Sequence, residues 1–115
     1  MNKLGADKKA RKRYLVFKLY TIGSSPDFET LSKEINDSLT RFLGVSGFIN
    51  SSIKLVRYDP LTRYGVIRII SRDIDLVLLG IIRIRRFNNT TGVIVPLRLT
   101  GNLSRAIKLI KKLER

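Results

Sequence analysis

The sequence predicts an α+β sandwich of ferredoxin-like, βαββαβ type, with a four-stranded antiparallel sheet and one extra helix at the C-terminus. Three observations carry this. Four short runs alternate apolar and polar residues with the period of a strand. Two intervening stretches carry apolar stripes at helical spacing. Turn chemistry, Asp59-Pro60-Leu61-Thr62, joins the second and third runs into a hairpin.

The first strand is expected over Arg13–Tyr20, with Leu15, Phe17 and Leu19 on one face and Tyr14, Val16, Lys18 and Tyr20 on the other. Ser25 is the expected cap of the first helix, with Pro26 in its first position and Asp27 and Glu29 in its first turn. Phe28, Leu31, Ile35, Leu39 and Phe42 form its stripe, and Gly44 ends it. Residues 44–51 read equally as loop or short helix. The second strand, Ser52–Tyr58, should turn Ile53 and Leu55 inward and Lys54, Val56 and Tyr58 outward. The third, Tyr64–Ser71, should set Ile67 and Ile69 against Tyr64, Val66, Arg68 and Ile70. Asp73 caps a second helix through Ile74, Val77, Leu78 and Ile81, which ends in the basic knot Arg83, Arg85 and Arg86. The fourth strand, Gly92–Thr100, should bury Val93, Val95, Leu97 and Leu99, and its Pro96 suggests a sheet edge. The last helix carries Leu103, Ala106, Ile107, Ile110 and Leu113 on one side and Arg105, Lys108, Lys111 and Lys112 away from it. By composition the chain divides into a basic flexible tail over 1–12, the sandwich over 13–100 and a basic amphipathic helix over 101–115.

Charge narrows the function. The 115 residues hold 23 Lys and Arg against 9 Asp and Glu, a net charge of +14, with no His and no Cys. Such a charge on a small fold is self-repulsive, so a polyanion is the natural partner. Without His and Cys the chain lacks the usual general base, soft-metal ligands and thiol nucleophile. No paired carboxylates, metal-ligand spacing or phosphate-binding loop appears, so no catalytic residues, metal ligands or bound cofactor are expected. An acylphosphatase-like enzyme would need an Arg in the loop after the first strand and an Asn on the third. Neither is present. No apolar run reaches the roughly 20 residues that span a bilayer, and the N-terminus lacks a secretion pattern. An intracellular, cytoplasmic protein without membrane contact is the expectation.

The cations expected to meet RNA phosphate are Lys8, Lys9, Arg11, Lys12 and Arg13 in the tail, Arg83, Arg85 and Arg86 after the second helix, and Lys108, Lys111 and Lys112 on the last. Much of the acid (Asp27, Glu29, Glu34 and Asp37) collects instead on the first helix. The outward sheet face sets tyrosines among cations, the pattern of an RNA-recognition-motif platform, with Tyr14 and Tyr64 as base-stacking candidates. The third-strand test is half passed. Tyr64 and Gly65 fit the consensus, but Val66 stands where a second aromatic belongs and Arg63 where a Gly belongs. The aliphatic content of that face favours coverage, by the last helix and by a protein partner at Val56, Val66, Ile70 and Ile94.

A family resemblance adds to this reading. The segment Lys54-Leu55-Val56-Arg57-Tyr58-Asp59-Pro60-Leu61-Thr62, followed by Gly65-Val66-Ile67-Arg68-Ile69, resembles the centre of archaeal ribonuclease P protein component 2. Arg13-Tyr14-Leu15-Val16-Phe17 is similar to that family's opening strand. Leu97-Arg98-Leu99-Thr100-Gly101-Asn102-Leu103 is similar to its fourth-strand exit, with Thr100 and Asn102 in place of the usual Ser and Thr. The resemblance implies a non-catalytic, RNA-binding subunit of the ribonucleoprotein that cuts the 5′ leader from precursor tRNA. The RNA would carry the chemistry and its Mg²⁺, and the protein would assist RNA folding and activity at low Mg²⁺. It also implies pairing with the TIM-barrel-like protein component 3, in a dimer of such heterodimers. The alternatives are another basic ribonucleoprotein component, such as a ribosomal protein or single-strand RNA binder, and, behind these, a small ferredoxin-like enzyme.

Overall fold

The computed structural model describes residues 9–115. Lys8 and the rest of the first eight residues of the expected tail lie outside the described residues. The elements run β1 (Arg11–Thr21), α1 (Phe28–Ile49), β2 (Ser52–Tyr58), β3 (Tyr64–Ser71), α2 (Ile74–Ile82), β4 (Arg86–Phe87), β5 (Thr90–Thr100) and α3 (Leu103–Leu113). Every strand pair is antiparallel, in the sheet order β2-β3-β1-β5-β4.

The sheet thus has five strands rather than the expected four. The basic knot after α2 is partly strand: Arg86 and Phe87 pair with Thr91 and Thr90 across the turn Asn88-Asn89. Asn88 takes φ 63°, a left-handed conformation that Asn tolerates better than most residues. Two residues are too few to show a strand period, yet this pairing delivers Phe87 fully into the core.

Two apolar cores lie on the two sides of the sheet. On the first, Leu31, Ile35 and Leu39 of α1 and Ile74, Val77 and Ile81 of α2 pack on Leu15, Phe17, Leu19, Ile67 and Ile69. Each such buried side chain contributes about 1.5–3 kcal/mol. On the second, α3 lays Ala106 and Ile110 over Tyr14, Val16 and Val66. Leu109 is partly buried against the same cluster, whereas Leu103 and Leu113 stay exposed.

Helix ends obey local chemistry. Asp27, not Ser25, caps α1, accepting from the Thr30 N–H at 2.8 Å. Those hydrogen bonds hold the Asp27 carboxyl below its ordinary range. The Ser25 hydroxyl instead donates to the Pro60 carbonyl at 2.6 Å, tying the β1–α1 loop to the hairpin. Gly44 breaks α1 at φ 78°, ψ 164°, so the expected stop is a kink that short helical residues follow. Asp73 caps α2 through the Leu76 N–H, and Asn102 caps α3 through Ser104 and Arg105.

Three further expectations are corrected. The tail does not extend to residue 12, because Arg11 and Lys12 belong to β1 and pair with Ser71 and Ile70 at the end of β3. In β2 a bulge leaves Val56 as the extra residue between the pairs Leu55–Ile67 and Arg57–Val66. A bulge flips everything beyond it, so Tyr58 turns inward, not outward. In β5, Leu97 is the extra residue between the pairs Arg98–Val16 and Pro96–Phe17. Ile94, opposite Leu19, is therefore the residue buried in the first core, while Val93 and Val95 share the other face with Tyr20 and Lys18. The expectation of a sheet edge at Pro96 holds locally, because β4 reaches only Thr90 and Thr91 and leaves the side of β5 away from β1 open at Pro96, which pairs with Phe17 on its other side.

Candidate nucleic-acid interface

The candidate phosphate-binding cations among the described residues fall into three sets on different parts of the molecule. The first lies in the helical layer, where α1 and the end of α2 enclose a groove of about 350 Å³ lined by Arg41, Arg83, Arg85 and Arg86 with Glu34 and Phe42. The close helix approach there depends on Gly80, where a Cβ would meet Leu39 and Phe42 at 2.7 Å. The Arg83 guanidinium stands 5.6 Å from the Phe42 ring centroid, a cation–π arrangement. Arg85 donates to the carbonyls of Ile82 and Ile84, satisfying acceptors at the negative end of α2. Arg41 reaches Ser38 at 3.2 Å and Glu34 at 3.5 Å. Sequence reasoning missed Arg41. Its signal is spatial: it lies on the α1 face that meets the end of α2, far away along the chain.

The second set is on the opposite layer. Lys108, Lys111 and Lys112 are exposed on α3. Arg98 and Arg105 line a smaller cleft with Thr100 and Leu109 beside them. The third set is at the start of β1. Lys9, Arg11 and Lys12 are exposed and Arg13 is half-buried. Strand register adds Arg68 and Lys54, which stand opposite Tyr14 and Arg68 respectively on the same face. The Lys12 ammonium lies 5.9 Å from the Tyr14 ring centroid. The structure thus brings Arg83, Arg85 and Arg86 together and Lys108, Lys111 and Lys112 together, but on different layers.

Few of these charges are neutralised from within. Among the described residues there are two ion pairs, Lys33–Asp37 at 2.9 Å and Arg41–Glu34 at 3.5 Å, both seated on α1. The exposed cations that make no ion pair, Lys108, Lys111 and Lys112 among them, are available to phosphate, whose counterions they would displace. Among the described residues no group of three or more His, Cys, Asp and Glu could hold a metal ion.

The stacking and interface candidates are redistributed. Tyr14 is 8% exposed beneath α3, so no base can stack on it in this arrangement. Tyr64 is half-buried at the margin of that helix, with the Lys18 ammonium 4.9 Å from its ring centroid. Val66 and Ile94 cannot meet a partner either, being fully buried in the second and first cores. Val56 and Ile70 are half-buried. Two causes act: α3 occupies the sheet face from Tyr14 to Val66, and the β5 bulge turns Ile94 to the other side.

The chain matches known proteins over nearly its whole length. It is 34% identical over 100 residues to ribonuclease P protein component 2 of Saccharolobus solfataricus, spanning 86% of this chain and 68% of that protein. The protein of the same name from Saccharolobus islandicus is 33% identical over the same shares. Residues 13–111, from the third residue of β1 through the packed turns of α3, match the model of one family, and the chain belongs to that family, Rpp14/Pop5.

Proposed function

We propose that this chain is an RNA-binding protein subunit of ribonuclease P, acting in removal of the 5′ leader of precursor tRNA. The observation that carries this beyond family membership is the distribution of cations. A net charge of +14, with two internal ion pairs among the described residues, is deployed on both layers and at the sheet's end. That layout suits a protein wedged among RNA helices better than one reading a single strand. The order β2-β3-β1-β5 of the four long strands supports the ferredoxin-like, RNA-recognition-motif-like reading. Domain limits follow as a sandwich through Thr100, with α3 as a lid on its second face.

The chemistry is assigned to the RNA and to Mg²⁺ bound on it. The protein's part is to take over counterion load, so that the RNA folds and cleaves at lower Mg²⁺. Pairing with component 3, in a dimer of heterodimers, is carried over from the family resemblance. Among the exposed apolar side chains, Leu76, Leu79 and Ile82 cluster on the outer side of α2, outside both cores, and are the surface we assign to it. Among the described residues no helix is long and apolar enough to cross a membrane. We assign the chain to the cytoplasm, where precursor tRNA is processed in a cell without a nucleus.

Reconstitution tests the proposal. Added with its partner to the cognate catalytic RNA, the protein should raise precursor-tRNA cleavage at low Mg²⁺ and do little at high Mg²⁺. The pure protein should cleave nothing. Metal-dependent cleavage by pure protein, or no stimulation at any Mg²⁺ concentration, would refute it.

A further inference from the structure

The tyrosine-rich part of the second sheet face is only partly covered. β1 places Lys18 and Tyr20 on one side, two residues apart, and β3 places Tyr64 directly opposite Lys18. The Lys18 ammonium lies 4.9 Å from the Tyr64 ring centroid and 5.4 Å from that of Tyr20. Across β1, Val95 and Val93 oppose Lys18 and Tyr20 and supply a half-buried apolar floor. α3 packs as far as Val16 and Val66 and leaves Tyr20 50% exposed. No carboxylate among the described residues pairs with Lys18.

We propose that Tyr20, Lys18 and Tyr64 form a binding site for one unpaired nucleotide of RNA, its base stacked on Tyr20 and its phosphate held by Lys18. The inference rests on the RNA-binding function proposed above and names the kind of RNA element this face takes. An exposed aromatic ring beside a fixed ammonium fits a ligand that offers a flat π surface and an anion a few ångströms apart, which a nucleotide does. A duplex keeps its bases stacked inside and cannot present one to Tyr20. The two cation–π contacts hold Lys18 over the rings and so reduce the ordering cost when phosphate binds. The site differs from a platform centred on Tyr14, because α3 has taken that position and displaced the open aromatic surface along β1 to Tyr20.

The test uses the full chain, a short oligoadenylate and an RNA duplex with the same number of phosphates. Tyr20→Ala should weaken oligoadenylate binding about 5- to 150-fold, the range for one lost stack, and leave duplex binding within about twofold. Tyr20→Phe should restore most of the loss. Lys18→Gln should weaken oligoadenylate binding and lower its salt slope by about one. The chain has no Trp, so Tyr20→Trp provides a single tryptophan that can be excited selectively over the remaining tyrosines, and oligoadenylate but not duplex should quench it. Equal losses on both RNAs, no loss on either, or failure of Tyr20→Phe to rescue would overturn the site. So would weakened pairing with component 3 at full oligoadenylate affinity, which would make the patch a protein surface. Failure here with intact stimulation of precursor-tRNA cleavage by the wild-type protein would reject this site alone. Loss of that stimulation is the separate failure of the function proposed above.

Discussion

The rings of Phe17 and Tyr58 stack across the middle strand of their three-strand segment, with centroids 6.4 Å apart and planes 11° from parallel. They can meet because Gly65 of β3 pairs with both residues and contributes no side chain between them. A Cβ at position 65 would stand 2.5 Å from the Phe17 ring and 2.7 Å from the Arg57 carbonyl oxygen. The consensus-like Tyr64-Gly65 pair therefore has a packing explanation here, independent of any RNA contact.

Gly65→Ala should accordingly overpack the first core. The ring of Phe17 can shift, but the Arg57 carbonyl is backbone and cannot shift without disturbing the β2 bulge. The expected cost is about 2–3 kcal/mol, at the upper end for one added methyl group. Urea unfolding of the variant, at unchanged m-value, measures it.

Tyr58 also anchors the start of α1, since its hydroxyl donates to the Pro26 carbonyl at 3.0 Å. Burial raises its pKa above the ordinary value of 10.0, with smaller opposing effects from Ser25 and Arg63. The unfolded chain thus ionises this tyrosine first. Its contribution is fully present below pH 10 and is lost as pH rises through the folded-state value. Tyr58→Phe should cost about 1 kcal/mol at neutral pH through the lost hydrogen bond. It should also flatten the fall in stability above pH 10, read as thermal midpoints of both proteins across that range.

Legibility followed the physics of each element. The stripe Leu31, Ile35, Leu39 and the Asp73 cap were readable because helical period and cap chemistry are local. Alternation assigns strand faces only within a bulge-free stretch: in β2 it holds up to Val56, and in β5 it misplaces Val93 and Val95, which precede the extra Leu97. Ile53 and Leu55 point inward as alternation requires, but the extra Val56 reverses Tyr58, and the extra Leu97 resets β5. A single sequence carries no mark of where a partner strand is one residue shorter. The covering of the second face was legible from the α3 stripe, while the loss of Tyr14 beneath Ala106 and Ile110 depended on where along the sheet that helix sits. Arg83, Arg85 and Arg86 were visible as a run. Arg41 joins them only through the packing of α1 on α2.

RNA affinity should be strongly electrostatic and shared between layers. If roughly six phosphates are neutralised, log affinity should fall against log salt with a slope near −4 to −5. Reversing Arg83, Arg85 and Arg86 to Glu should remove part of that slope. Reversing Lys108, Lys111 and Lys112 should remove another part, because the two sets lie on opposite layers and make independent contacts. Titration of the catalytic RNA from low to high salt checks this. A flat response, or full affinity after both reversals, would contradict it.

The seat of α3 is set by Ile110, which is 2% exposed against Tyr14, Val16 and Val66. Ile110→Ala should cost about 2–4 kcal/mol and loosen the helix from the sheet. Hydrogen exchange should then quicken along α3 while α1 and α2 remain protected. Uniform loss of protection would instead mean that the two cores unfold as one.

The apolar outer side of α2 yields the last prediction. A nine-residue helix buries Ile74, Val77 and Ile81 on one side yet carries Leu76 at 42% and Leu79 at 46% exposure on the other. Helix formation alone does not require leucine there, and a solvated face would normally be polar. Because Leu79 is outside both cores, Leu79→Asp should change folding stability by about 0.5 kcal/mol or less. Val66→Asp, by contrast, buries a carboxylate under α3 and should prevent folding, so it cannot report on pairing. If α2 faces the component 3 subunit, Leu79→Asp should weaken that heterodimer at least tenfold or so, since a charge would be desolvated against the partner. Calorimetric titration of the two proteins without RNA measures this directly. Unchanged affinity from a folded Leu79→Asp protein would move the partner surface away from α2.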